Sequence, residues 1–238
     1  MYVHMTTPHT HTLKAAVNQA AAWNPEKALF VQAADSDRRY TFEEFNHDCR
    51  QVANAYRDHG VEKGDRIVFA SESIIEHAVA YFAVLKIGAI PATLHTREAA
   101  NVNRSLVEEL DPELFVFQPR HSDLADKIRE EIEGLDSFLA FDQSEDPPEY
   151  AQRLSEFKAG MPATEPDVSV DPSDDAFINF TSGTTGRPKG MVRTHEDAVE
   201  FIQTATYIYQ SDRTDVYLNA FGAGFIGWPL MMFSCASM

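Results

Sequence analysis

Residues 66–94 read RIVFASESIIEHAVAYFAVLKIGAIPATL and contain three segments with different patterns of apolar residues. The apolar run 66–70 predicts a buried strand, and the segment 74–87 predicts a helix. Gly88 follows that helix and supplies the left-handed conformation that commonly ends one, after which 89–94 predicts a second strand. A strand, a helix and a strand in this order predict a β-α-β unit with parallel strands.

The same alternation continues on both sides of this unit. Upstream, Thr41-Phe42-Glu43-Glu44 has the pattern of a capping box, and an apolar stripe that includes Cys49 runs to a helix stop at Gly60. Downstream, helical patterns at 98–110 and 122–133 alternate with strand-like runs at 114–118 and 137–141. The sequence therefore predicts a layered α/β fold with mainly parallel sheets.

The composition changes after this region. Prolines and acidic residues are frequent from residue 142 to 175, which predicts a surface connection with one short helix near 149–158. Beyond it, the patterns predict strands at 176–180 and 215–219, an extended run at 190–194 and a helix at 195–209. The predicted domains are an N-terminal arm and first helix (1–25), a first α/β subdomain (26–146), a connection (147–175) and the start of a second subdomain (176–238).

The overall charge restricts the class of partner. The chain has 238 residues with 20 basic and 37 acidic side chains, a net charge of -17, so electrostatic repulsion disfavours nucleic acid and anionic membranes. This balance is also typical of proteins kept soluble in concentrated salt, although an ordinary acidic protein has it too. Cys49 and Cys235 form no C-x-x-C motif and no signal peptide pattern begins the chain, so we expect a reducing, cytoplasmic location.

The most informative motif is TSGTTGRPKG at 181–190, directly after the strand-like run 176–180. Its hydroxyl groups and glycines favour a backbone turn with inward N–H groups, which binds anions, and Lys189 adds a positive charge. It is not the common P-loop, because Pro188 stands where that motif needs glycine and Gly190 stands where it needs Ser or Thr. A flexible linker is the alternative interpretation, but a linker has no need of Pro-Lys-Gly.

These ten residues resemble the phosphate-binding signature of the AMP-forming acyl-activating superfamily, which includes acyl-CoA synthetases, peptide-synthetase adenylation domains and luciferases. Segments 39–44, 60–67 and 86–92 also resemble scaffold features of that family. The resemblance implies that a carboxylic acid attacks the α-phosphorus of ATP to give an acyl-adenylate and pyrophosphate. A thiol, usually coenzyme A, then takes the acyl group.

The resemblance also implies roles for the residues of the motif. Those expected to bind the β- and γ-phosphates of ATP are Ser182, Gly183, Thr184, Thr185, Gly186 and Lys189. The hydroxyl of Thr181 is expected nearest to Mg²⁺ or the α-phosphate, which makes Thr181 and Lys189 the candidate catalytic residues. The expected cofactors are ATP, Mg²⁺ and coenzyme A, and the expected partner is a small carboxylic acid.

The substrate pocket is less clear from the sequence. Many relatives have an aromatic residue followed by histidine beside the acyl group, but here Phe221 is followed by Gly222. We therefore expect Phe221, Phe225 or Trp228 to be the bulky side chain beside the acyl pocket. His195 has two interpretations, contact with the nucleotide or a structural role at the start of a helix. Gly222, Gly224 and Gly227 also match G-x-G-x-x-G, a weak sign of a dinucleotide site on its own.

Residues 216–238 contain no charged side chain. Their length is enough for a membrane span, but their glycines, Asn219 and Pro229 favour a buried strand and pocket loop instead. Relatives continue with further nucleotide-binding carboxylates and a domain that bears a catalytic lysine. We therefore expect the N-terminal part of an acyl-CoA synthetase that is inactive alone and self-associates through this apolar segment. The alternative is a non-catalytic fragment that binds ATP or polyphosphate.

Overall fold

The computed structural model describes residues 11–31, 39–143, 145–181, 188–211, 215, 217–230 and 232. The helices are α1 (Leu13–Trp23), α2 (Phe42–His59), α3 (Ile75–Lys86), α4 (Ala100–Leu110), α5 (Ser122–Glu131), α6 (Leu154–Phe157) and α7 (His195–Tyr209). The strands are β1 (Ala28–Val31), β2 (Arg39–Thr41), β3 (Arg66–Ala70), β4 (Ile90–Thr93), β5 (Leu114–Phe117), β6 (Phe138–Ala140), β7 (Gln152–Arg153), β8 (Asp175–Thr181) and β9 (Lys189–Thr194).

One seven-stranded sheet organises the described residues, in the order β7-β6-β5-β3-β4-β8-β9. Every neighbouring pair is parallel except β8 and β9, which form an antiparallel hairpin at one edge. Strands β3 and β4 are parallel neighbours joined by α3, so the predicted β-α-β unit is confirmed. Strands β1 and β2 form a separate antiparallel pair.

The sheet is covered on both faces, because alternate side chains of each strand point in opposite directions. Ile67 and Phe69 of β3 pack with buried residues of α1, α2, α3 and α7, whereas Val68 and Ala70 pack with residues of α4 and α5. Burial on both faces explains why the strands are continuously apolar. The structure thus confirms the layered α/β fold with a mainly parallel sheet.

Helix α2 shows the predicted end signals in full. The hydroxyl of Thr41 accepts a hydrogen bond from the Glu44 amide at 3.2 Å, and the Glu44 carboxylate accepts one from the Thr41 amide at 2.8 Å. Gly60 ends the helix with φ at 106°. The stripe between these caps faces the core, and Cys49 is fully buried there, which raises the pKa of its thiol far above the usual value.

The connection between β6 and β8 is fastened to the helices by charged side chains. Glu165 accepts hydrogen bonds from Lys86 Nζ at 3.0 Å and Arg50 Nε at 2.9 Å, and Lys14 Nζ lies 3.7 Å from its other oxygen. Burial alone would raise the pKa of Glu165, but Lys86 and Arg50 hold it below its usual value. The strands on both sides of this connection lie in one sheet, and the division into subdomains 26–146 and 176–238 stays a prediction.

The predicted strand at 215–219 is wrong for the described residues of that segment. None of them pairs with another strand, and Leu218 is 80% exposed. The side chain of Asn219 accepts a hydrogen bond from the Phe221 amide at 3.2 Å and donates one to the Trp228 carbonyl at 3.4 Å. These local bonds compete with a strand ladder and bend the chain into turns. No described helix is long and apolar enough to cross a membrane.

Candidate functional site

The hairpin of β8 and β9 brings together two predicted site residues. Thr181 ends β8 and Lys189 begins β9; they are partners in the ladder, and the Thr181 hydroxyl donates to the Lys189 carbonyl at 3.5 Å. Both residues are exposed, which suits groups that contact a soluble anion. The other predicted phosphate-binding residues, Ser182, Gly183, Thr184, Thr185 and Gly186, lie outside the described residues.

A cavity of about 580 Å³ opens beside this hairpin. It lies where β3, β4 and β8 reach their carboxyl ends, the edge at which open parallel sheets bind ligands. Its lining residues come from four places along the chain: Ser71, Glu72, Leu94, His95, Thr96, Arg97, Glu98, Phe180, Thr181, Pro188, Ala220, Gly222, Ala223, Gly224, Phe225 and Ile226.

One side of the cavity is polar. Glu72 follows β3, and its backbone amide donates to the Gln118 side chain at 2.6 Å. Its carboxylate accepts a hydrogen bond from Thr96 at 3.4 Å and lies 3.7 Å from Nε2 of His121. Burial lowers the pKa of His121, so this imidazole is less readily protonated than a free one. The Glu72 carboxylate therefore keeps capacity to accept hydrogen bonds from a ligand.

The opposite wall is the segment 219–228, whose turns lead into a helical stretch at 227–230. The Phe225 amide donates to the Gly222 carbonyl at 3.0 Å, and the Trp228 amide donates to the Phe225 carbonyl at 2.9 Å. Trp228 is 1% exposed, and its indole N–H donates to the Ser73 hydroxyl at 2.7 Å. This wall is therefore anchored in the core and not a free loop.

Gly224 brings the two walls into contact. A Cβ atom at this position would lie 2.7 Å from the Leu94 carbonyl oxygen and 2.9 Å from Nδ1 of His95. Both distances are too short for a side chain, so only glycine allows segment 219–228 to approach the end of β4 this closely. The close approach places Phe225 against His95, with ring centroids 4.4 Å apart.

The predicted pocket residues divide between two cavities. Gly222 and Phe225 line the 580 Å³ cavity, whereas Phe221 lines a neighbouring cavity of about 250 Å³ beside α7. Residues 217–220 form no strand before Gly222, so the strand that a dinucleotide-binding G-x-G-x-x-G requires is missing there. Trp228 acts as an anchor for the wall and does not line the larger cavity.

His195 is a structural residue. It begins α7 at the far end of the hairpin from Thr181 and Lys189, because β9 ends at Thr194. Its ring is fully buried and Nδ1 accepts a hydrogen bond from the Leu13 amide at 3.2 Å. Burial lowers its pKa to about 4, which keeps the imidazole neutral at physiological pH.

Sequence reasoning missed Glu72, His95 and Arg97 as cavity residues. The available signal was their position, because all three lie within three residues of the carboxyl ends of predicted strands of one parallel sheet. The structure describes no group of three or more His, Cys, Asp or Glu residues that could hold a metal ion. Assignment of Mg²⁺ to the Thr181 hydroxyl stays a prediction.

Comparison with known proteins relates the chain to one family. Residues 17–236 match the family model described as AMP-binding enzyme. The chain is 27% identical over 180 residues to a long-chain-fatty-acid–CoA ligase of Mycobacterium tuberculosis, which covers 76% of this chain and 34% of the ligase. It is 31% identical over 192 residues to 4-coumarate–CoA ligase 2 of Oryza sativa, covering 75% of this chain and 33% of that enzyme.

Solved structures give the same relation at the level of the fold. Acetoacetyl-CoA synthetase from Streptomyces lividans superposes with a TM-score of 0.85 at 17% identity, covering 95% of this chain and 37% of that one. The chain therefore spans about a third of the length of the two curated relatives, at 34% and 33%.

Proposed function

Because the chain belongs to the family of AMP-binding enzymes, we propose that it takes part in the ATP-dependent activation of a carboxylic acid. The product is an acyl-adenylate, which is then converted to an acyl-CoA thioester. The observation that carries this proposal is the exposed Thr181–Lys189 end of the hairpin, beside a cavity with one polar and one apolar wall.

The hairpin motif is proposed to stabilise the leaving group. A carboxylate oxygen of the acid forms a bond to the α-phosphorus of ATP, and the bond between that phosphorus and the bridging oxygen to the β-phosphate breaks. Negative charge grows on the departing pyrophosphate. We assign Lys189 and the N–H and hydroxyl donors of residues 182–186, which are neighbours in the sequence, to the stabilisation of that charge. In well-studied oxyanion sites, one such donor lowers the activation free energy by about 3–4 kcal/mol.

Mg²⁺ would neutralise part of the phosphate charge, and the Thr181 hydroxyl is the residue we assign to it. An alcohol oxygen is a hard donor of the kind that Mg²⁺ accepts, and this one is exposed at the end of β8. For the second step we propose coenzyme A as the thiol, since the two curated relatives are both named as CoA ligases. The thiol sulfur forms a bond to the acyl carbon, the bond between that carbon and the phosphate oxygen of AMP breaks, and the thiol proton is released.

A second candidate function is binding of ATP or polyphosphate without acid activation. The observation that favours it is the exposure of Thr181 and Lys189 at the end of the hairpin, because exposed hydroxyl and ammonium groups can contact the phosphates of a nucleotide by themselves. Such binding would use the same hairpin residues and would need no carboxylic acid.

Isotope exchange between labelled pyrophosphate and ATP tests the proposal. The protein is supplied with a panel of aliphatic and aromatic carboxylic acids, and ATP binding is measured separately by calorimetry. Exchange that requires an acid supports activation. ATP binding without acid-dependent exchange supports the second candidate, and absence of both results contradicts both functions.

We also propose self-association through the apolar segment 216–238. Of its described residues, Leu218 is 80% exposed, Phe225 55% and Phe221 49%, and exposed apolar side chains promote association. The expectation that the whole segment is exposed is wrong, because Trp228, Leu230 and Met232 are buried in the core. Light scattering at increasing protein concentration should show more than a monomer, and Leu218→Glu should shift the protein toward monomer. Ser169→Glu, an exposed position elsewhere, is the control. A monomer at every concentration would contradict the proposal.

The buried free thiol of Cys49 is consistent with a reducing compartment, and we propose a cytoplasmic location on that ground.

A further inference from the structure

His195 joins three parts of the chain that are far apart in the sequence. It is the first residue of α7, its ring is fully buried, and its Nδ1 accepts a hydrogen bond from the Leu13 amide at 3.2 Å. Its own amide donates to the carbonyl of Asp174 at 3.1 Å, at the end of the connection that leads into β8. The starts of α1, β8 and α7 therefore meet at this one side chain.

The bond to Leu13 determines where the neutral ring carries its proton. A ring nitrogen that accepts a hydrogen bond has no proton of its own, so the proton of the neutral imidazole is on Nε2. Nε2 is buried and has no hydrogen-bond partner. A second proton has to bind at Nδ1, where it would point at the Leu13 N–H, which is also a donor. Protonation of His195 is therefore incompatible with the bond that holds the first turn of α1.

The neighbouring charges do not favour a positive charge on the ring. The carboxylate of Asp174 already accepts hydrogen bonds from Lys63 Nζ at 2.6 Å and from the Asp171 amide at 2.6 Å. Burial alone would raise the pKa of Asp174, but these two bonds hold it below its usual value, so Asp174 stays ionised above pH 5. For His195, burial and the charge of Lys63 outweigh the attraction of Asp174 and lower the pKa to about 4.

The remaining charged groups around this junction lie on three elements. On α7, Glu196 and Asp197 follow the ring and are exposed, and on β9 the nearest charged residue is Arg193. On α1, Lys14 Nζ donates to the Val168 carbonyl at 2.8 Å, and an exposed histidine, residue 11, precedes the helix. Residue 11 is the second imidazole at this junction, so an experiment has to separate its titration from that of the buried ring.

Helix α1 is the element that loss of this bond would release. It has 11 residues, a length at which an isolated helix is marginal in water, so it depends on tertiary contacts. Leu13, Val17 and Ala20 supply these contacts by packing in one apolar cluster with residues of α2, α3 and α7. The Leu13 amide belongs to the first turn, where amides have no acceptor within the helix. Nδ1 of His195 is the acceptor that the fold provides for it.

We propose that His195 is a pH-sensitive latch for α1. While the ring is neutral, Nδ1 holds the start of α1 against the start of α7 and the end of the connection. When the ring gains a proton, the bond to Leu13 is lost, α1 leaves the core, and water reaches the charged imidazolium. Strand β3 and its neighbours β4 and β5 lie outside this junction and stay paired.

The size of the effect follows from proton linkage. A ring released from the core has the ordinary histidine pKa of about 6.5, whereas the pKa in the folded protein is about 4. The stabilisation of docked α1 is therefore complete above pH 6.5 and is lost as the pH falls from 6.5 toward 4. Between pH 8 and pH 5, the equilibrium constant for release of α1 should rise by about 10- to 30-fold.

Hydrogen exchange followed by mass spectrometry tests the latch without ATP or any carboxylic acid, so the result does not depend on the proposed function. Protection factors, corrected for the intrinsic effect of pH, are measured at pH 8 and pH 5 for peptides that contain residues 13–23 and 66–70. The α1 peptide should lose about 10- to 30-fold of its protection. At pH 5 it should exchange faster than the β3 peptide and respond less to added urea, as local opening does.

His195→Asn is the matched variant, because its amide oxygen can take the place of Nδ1 but does not titrate. Its α1 protection should change less than about threefold between pH 8 and pH 5, because no proton binds at this position. His195→Gln places its oxygen near the position of Nε2 and should lose α1 protection at pH 8 as well. His11→Asn should keep the pH dependence of the parent protein. Circular dichroism verifies the folding of each variant.

Two sets of results would overturn the latch. One is a pH dependence of α1 protection that persists in His195→Asn or disappears in His11→Asn. The other comes from the parent protein alone, so it holds even if a variant does not fold. Unchanged α1 protection at pH 5, or α1 and β3 peptides with equal protection and equal urea dependence, would show that acid does not release α1 from the folded protein.

Discussion

The Lys189 side chain is exposed at the start of β9, and its proposed role in stabilising the departing pyrophosphate can be tested by substitution. In a form of the protein that catalyses acid-dependent exchange, Lys189→Ala should reduce pyrophosphate–ATP exchange by about 100- to 1,000-fold, the effect of removing one donor from an oxyanion site. Stability should change little, because the described structure gives this ammonium group no buried contact. Lys127→Ala, which removes a surface pair with Glu131, is the matched control. Undiminished exchange in Lys189→Ala would remove the proposed role.

Thr184→Ala and Thr185→Ala should each reduce the exchange rate less than Lys189→Ala does, since each removes one neutral donor.

Gly224 offers a second test at the level of one residue, because its close approach to Leu94 leaves no room for a methyl group. Gly224→Ala should lower the free energy of unfolding by about 1–3 kcal/mol, the usual cost of overpacking. Gly222→Ala is the control, since a Cβ there meets the Phe225 ring at an ordinary 3.4 Å. Urea denaturation measures both. Equal stability of the two variants would show that segment 219–228 can shift away from β4.

At the level of elements, the connection that carries Glu165 predicts a pH dependence. Glu165 faces the cations Lys14, Arg50 and Lys86, and the Lys86 side chain is only 1% exposed. The folded-state pKa of Glu165 lies below its usual value, so its contribution is present above the ordinary glutamate pKa and is lost as the pH falls through the folded value.

Glu165→Gln should therefore lower the free energy of unfolding at neutral pH by about 3 kcal/mol, because it leaves Lys86 buried without a carboxylate. The variant should also lose less stability than the parent protein as the pH is lowered. Glu133→Gln, at an exposed position, is the control. Chemical denaturation at several pH values measures both effects, and parallel curves for the parent and Glu165→Gln would contradict the expectation.

The elements also show what the sequence could predict. The β-α-β unit and the Thr41 cap were predictable because their signals are local, a change in periodicity and a four-residue motif. The strand expected at 215–219 was wrong because the Asn219 side chain bonds to nearby backbone groups. The contact between His95 and Phe225 could not be predicted, since it depends on the register of β3, β4 and β8 and on the packing of Gly224.

At the scale of the whole molecule, the net charge of -17 should make stability depend on salt. Screening weakens repulsion among the carboxylates, and a gain of about 1 kcal/mol corresponds to about 2–4 °C in Tm for a protein of this size. Thermal melts in a potassium chloride series should show Tm rising. A variant with Asp123→Asn, Glu130→Gln and Glu133→Gln, all at exposed positions, should rise less. A flat or falling Tm would contradict adaptation to high salt.

The order of strands in the sheet has a consequence for how the protein is made. Strand β8 pairs in parallel with β4, although three strands and three α-helices lie between them in the chain. Such non-local pairing forms slowly, because closing a long loop costs conformational entropy before the stabilising contacts between the strands can form. The cavity walls include residues from Ser71 to Ile226, so on a ribosome the site cannot be complete until nearly all of these residues have emerged. A nascent chain can thus acquire a layered core well before it acquires a binding site.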